Sequence, residues 1–106
     1  MFDITANDLL AVYEQLKDHY ELTLTNTLAV SNGFEGDWPI IVGKAHGQII
    51  WLYEYGGGDF VLDVMDEAET KGTHWHPEDV ETAVKDIAEF MEGKSNYKLY
   101  PFKQKS

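Results

Sequence analysis

The chain has 106 residues, with 8 Lys and Arg against 19 Asp and Glu, a formal net charge of −11 and no cysteine. That length fits one domain over 1–106, and the lack of thiols excludes a disulfide framework, a thiolate zinc site, an iron–sulfur cluster and a cysteine nucleophile. The charge disfavours direct contact with nucleic-acid phosphates or an anionic membrane surface, and no run approaches the ~18 apolar residues of a membrane span.

Residues 5–20 read as a helix. Thr5 suits the N-cap, and Leu9, Val12, Tyr13, Leu16 and Tyr20 recur at helical spacing as one apolar stripe. Residues 22–30 then change to period two, with Leu22, Leu24, Leu28 and Val30 alternating with threonines and an alanine, which predicts a half-buried strand. Ser31-Asn32-Gly33 and Glu35-Gly36-Asp37 carry the chemistry of a loop. Trp38–Val42 predicts a second strand that starts at Pro39 or lies at an edge, because proline cannot donate to a ladder.

Gly43–Gly47 predicts a tight hairpin. Residues 48–55 are the most strand-like run, rich in aromatic and branched side chains. Ile49, Trp51, Tyr53 and Tyr55 fall on one face, and Gln48, Ile50, Leu52 and Glu54 on the other. Gly56-Gly57-Gly58 predicts another turn. In residues 59–66, Phe60, Leu62 and Val64 point to the core, while Asp59, Val61, Asp63 and Met65 point away. Residues 67–76 read as a polar connection. Pro77 is expected at the first position of a second helix, with Glu78, Asp79 and Glu81 in its first turn. Val80, Ala83, Val84, Ile87, Ala88 and Met91 form its stripe, and Gly93 its stop. Tyr97–Phe102 suits a short edge strand or an aromatic tail.

Strands in series without crossover helices imply an antiparallel sheet. The predicted fold is an α+β two-layer sandwich: a sheet of about four or five strands, with the N-terminal and C-terminal helices on one face and the other face partly open. An open face carrying either Ile50 and Leu52 or Trp51 and Tyr53 would suit a partner, including a second copy in a homodimer.

The charge is uneven. Residues 54–93 hold 12 acids and 2 bases, a net of −10, while residues 94–106 hold four lysines (Lys94, Lys98, Lys103, Lys105) and no acid. The leading expectation is a binding domain that engages a basic protein partner. Asp59, Asp63, Asp66, Glu78, Asp79, Glu81, Asp86 and Glu89, with Glu92, would form one negative surface that steers association, and Trp75 would anchor it.

The rival expectation is metal chemistry at Thr73-His74-Trp75-His76-Pro77. In extended chain His74 and His76 project to the same side, as two imidazoles gripping one zinc would. A third ligand would come from Asp63, Asp66, Glu67, Glu69 or Asp79. Zinc is the cofactor expected first, and the same pair could grip copper or iron. A third expectation is a regulatory domain with a ligand pocket between helix and sheet.

Other chemistries fail on spacing. Asp59 and Asp63 stand roughly 13 Å apart along a strand at ~3.3 Å per residue, beyond the about 5–9.5 Å of a glycosidase pair. The acids around 63–69 lack the spacing of a calcium loop, and the glycine triplet lacks the Lys-Ser/Thr of a phosphate loop.

In size, acidity, lack of cysteine and α+β order, the whole chain resembles small bacterial immunity and inhibitor proteins that neutralise toxic enzymes. Such proteins often cover a basic nuclease cleft with an acidic surface, and the resemblance implies the same mode here. A cytoplasmic location is expected from the lack of a signal peptide or membrane span. The opening Met1-Phe2-Asp3-Ile4 has neither the basic region nor the apolar run of such a peptide.

Overall fold

The computed structural model describes residues 6–31, 34–55, 59–95 and 97–101, with the backbone alone at 6, 26–31, 34–38 and 55. The elements run α1 (Ala6–Leu16), β1 (Leu22–Ser31), β2 (Phe34–Ala45), β3 (Gln48–Tyr55), β4 (Asp59–Asp66), β5 (Lys71–Trp75), α2 (Val80–Met91) and β6 (Tyr100–Pro101). All strands pair antiparallel with their chain neighbours, in the order β1-β2-β3-β4-β5-β6. The fold is therefore α+β, with a six-stranded open sheet rather than one of four or five. No helix among the described residues is long and apolar enough to cross a membrane.

Beyond the four strands that end at Asp66, β5 and β6 have different origins. Residues 71–75 have no apolar alternation, yet they pair with β4 from Leu62↔Trp75 to Met65↔Gly72. The turn before them is built by Asp66, whose carboxylate accepts from the backbone N–H groups of Thr70 (2.8 Å) and Lys71 (3.0 Å) and from the Thr70 hydroxyl (2.6 Å). That turn, not local strand propensity, brings β5 against β4. The expected tail does pair, at Lys71↔Pro101 and Gly72↔Tyr100. It also packs: the Tyr97 ring lies 5.6 Å from Trp75 and 6.4 Å from Phe90.

Helix α1 buries Leu9, Val12 and Leu16, as its stripe requires. Helix α2 begins three residues later than Pro77. Asp79 adopts an extended backbone (φ −155°, ψ 176°), and its Oδ1 accepts from the Thr82 N–H at 2.7 Å, so it is the N-cap. Of the three acids expected in the first turn, only Glu81 is there. The buried residues of α2 are Ala83, Ile87 and Phe90, and Phe90 was absent from the predicted stripe. The far end is a Schellman motif: Gly93 (φ 73°) donates to the Phe90 carbonyl at 3.1 Å, and Lys94 to Glu89 at 2.7 Å. The stop at Gly93 is as the sequence predicts.

Both helices lie on one face of the sheet, and they contact each other. Leu9, Val12, Leu16, Ile87 and Phe90 meet Ile41, Ile50, Leu52, Phe60, Leu62 and Val64 in one core. The β2–β3 turn is His46-Gly47, both at positive φ (56° and 73°), as a two-residue hairpin demands. From there the His46 Nε2–H donates to the Met91 carbonyl at 3.2 Å and ties the hairpin to the end of α2. β2 neither starts at Pro39 nor lies at an edge, since Pro39 pairs with Asn26 inside a long β1–β2 arm. The proline is tolerated because β3 begins to pair with β2 only at Ile40. Thr5, Asn32-Gly33, the glycine triplet, Phe102, Lys103 and Lys105 lie outside the described residues.

Candidate functional site

Register decides which side chains remain uncovered. Cross-strand partners share a face, so the buried pairs Ile41↔Leu52 and Leu52↔Leu62 define the helix side. The opposite face then carries Val42, Trp51, Asp63 and His74 as one row across four strands. Ile40, Tyr53 and Val61 form the row on one side of it, and Lys44, Ile49, Met65, Gly72 and Tyr100 the row on the other. Of the two sequence alternatives, Ile50 and Leu52 are buried under the helices, and Trp51 and Tyr53 meet the uncovered side, both half-buried. Tyr100 is 57 % exposed.

Asp63 stands in the middle of this apolar and aromatic face. Its Oδ2 accepts from the Tyr53 hydroxyl at 2.9 Å. No lysine of the described residues pairs with it, since the described ion pairs are Lys17–Glu14 and Lys94–Glu92, each 2.9 Å. Beside it is a cavity of about 420 Å³, lined by Trp51, Asp63, Met65, Gly72, His74 and Tyr100 among others.

The acids expected to form one negative surface occupy different places. Asp59 and Asp63 belong to the uncovered face. Asp66 is spent on the β4–β5 turn, where the Thr70 hydroxyl and then the Lys71 N–H hold its carboxyl below the usual range. Asp79 is spent on the α2 cap, and the Thr82 backbone N–H lowers it likewise. Glu78 precedes that cap, and Glu81, Asp86 and Glu89 ride on α2, in the other layer. The two terminal lysines among the described residues are also engaged: Lys94 pairs with Glu92, which the Tyr20 hydroxyl also binds, and the Lys98 ammonium lies 5.6 Å from the Tyr100 ring centroid. Glu92 is held low by Tyr20 and then by Lys94.

Trp75, expected as an anchor for a partner, turns to the helix side. Its Nε1–H donates to the Asp86 carboxylate at 2.8 Å, and its ring packs on Tyr97. Trp75 and Asp86 thus engage each other, joining β5 to α2.

The rings of His74 and His76 stand 5.9 Å apart, edge to face. The His76 Nδ1–H donates to the Phe60 carbonyl at 3.1 Å, so His76 braces the start of β4 and Asp79 caps the helix. Among the described residues no three His, Asp or Glu side chains gather as a metal site, so none of the proposed third ligands joins the pair.

The helix side of the sheet also carries a carboxyl, that of Glu54, across from Phe60. Partial burial, and then the charge of Asp8 in the first turn of α1, push its carboxyl above the usual range. A raised carboxyl takes up its proton more readily folded than unfolded, so ionisation costs stability. The penalty grows as pH rises through the unfolded-chain value and is complete above the folded one. Glu54→Gln is expected to raise Tm at pH 7 by roughly 1–4 °C, after screening is allowed for. The gain should vanish below about pH 4, where both forms are neutral. Thermal melts of the two proteins from pH 3 to 8 measure it.

Comparison with protein-family models, curated proteins and solved structures found no match to this chain.

Proposed function

We propose that this chain is a binding domain for a basic protein partner, acting as immunity and inhibitor proteins do, and that it docks through the sheet face its helices leave uncovered. The observation that supports this reading is the composition of that face. Trp51, Tyr53, Ile40, Val42, Ile49 and Met65 are half-buried there around the carboxylate of Asp63. Aromatic and methionine side chains are enriched where protein interfaces bury their centres, and a net charge of −11 favours encounter with a cationic surface. The acids on α2 then act at long range, adding to the field that steers the partner, while contact forms on the other layer.

Immobilised full-length chain exposed to extract of the native host at low salt tests this. Two double variants carry the same change of charge: Asp59→Lys with Asp63→Lys on the uncovered face, and Glu81→Lys with Glu89→Lys on α2. The expected result is a basic protein held by wild type and by the α2 variant, released by raised salt, and weakened about tenfold or more by the sheet-face variant. Equal loss in both variants would reduce the effect to bulk charge. Retention of neutral or acidic proteins alone would overturn the reading.

A further inference from the structure

The cavity beside Asp63 lies against a glycine, Gly72. In the row Met65–Gly72–Tyr100, the middle position has no side chain. The gap is walled by Met65 and Tyr100 in that row and by Trp51, Asp63 and His74 in the next. Its volume is about 420 Å³, and it is a cleft open to one side.

We infer that this cavity receives one cationic side chain of the partner, an arginine guanidinium, between the Trp51 and Tyr100 rings and against the Asp63 carboxylate. The inference rests on the docking reading above and names the group that the docked partner inserts.

Three features carry it. A carboxylate offers about four acceptor positions, and among the described residues Asp63 has one hydrogen-bond donor, Tyr53. Its second oxygen is available to the guanidinium fork, in half-buried surroundings where a charge-assisted bond is stronger than in water. Trp51 and Tyr100 are among the residues that line the cavity, and aromatic rings attract a planar cation. The Tyr100 ring already holds a cation of the chain itself, the Lys98 ammonium at 5.6 Å, although Lys98 is not among the residues that line the cavity. A phosphate or carboxylate would be repelled by Asp63, and a purely apolar group would bury that charge with the Tyr53 hydroxyl as its donor and no counter-charge, which is costly.

The test is an NMR titration of the ¹⁵N-labelled full chain with the peptide acetyl-Gly-Arg-Gly-amide. Its control replaces arginine by citrulline, which has nearly the same shape and no charge. The expected result is saturable shifts of the Trp51 indole N–H and the Gly72 amide with the arginine peptide, in the millimolar range for a single side chain. Citrulline should bind about tenfold or more weakly, and so should the arginine peptide to Asp63→Asn. Tyr100→Leu, at an exposed edge, is a second variant expected to weaken binding while the remaining amide spectrum stays in place. Equal shifts with citrulline, or undiminished binding by both variants, would overturn the cation seat. If the arginine peptide fails while sheet-face charge reversal still abolishes partner capture, the seat falls and the docking surface stands.

Discussion

Trp75→Ala is expected to lower stability by about 2–4 kcal/mol, somewhat below the loss for a fully buried aromatic because the indole is half-buried. For a chain of this size that is a fall in Tm of roughly 10–20 °C. The indole bridges the two layers: its ring packs on Tyr97, which in turn stacks on Phe90, and its N–H donates to Asp86 on α2. Trp75→Phe should recover most of the packing and lose the hydrogen bond. A double-mutant cycle with Asp86→Ala should show about 1–2 kcal/mol of coupling, as a bond to a charged group contributes. Denaturant titrations measure all of these. A Trp75→Ala protein as stable as wild type would show that the indole does not hold α2 to β5, and would return Trp75 to the role of a surface anchor.

Gly43→Val should cost about 2–3 kcal/mol, by overpacking. A Cβ at Gly43 would lie 2.7 Å from Leu22 Cδ2 and 3.2 Å from both Ile50 Cγ2 and Met91 Sδ. This glycine therefore sets how closely α2 approaches β2. Gly43→Ala should cost less, about 1 kcal/mol, because the crowded Leu22 methyl ends a flexible side chain that can turn aside. Unfolding curves of the two variants check the order. A valine variant of unchanged stability would mean that α2 does not lie as close to the sheet as the structure places it.

These effects depend on contacts of different range, and that range separates what was legible in the sequence from what was not. Leu9, Val12 and Leu16 declare α1 by spacing alone, because each residue's face in a helix is set within a few positions. The alternation in 48–55 and 59–66 likewise sorts Leu52 from Trp51 and Leu62 from Asp63 before any tertiary contact is known. Gly93 marks the end of α2 through its own backbone freedom. The start of that helix lies beyond Pro77, because Asp79 takes the N-cap position by accepting from the Thr82 N–H.

Charge total, apolar periodicity and turn chemistry were thus determined by the sequence itself, since each is a property of neighbours along the chain. Which layer each carboxylate joins, the pairing of a polar segment as β5, and the reach of His46 to Met91 were decided only in the tertiary structure. The cavity at Gly72 belongs with them: it needs β4, β5 and β6 in register, so that a missing side chain falls between Met65 and Tyr100. Register between distant strands is selected by the packing of the whole core, which no local window of residues contains.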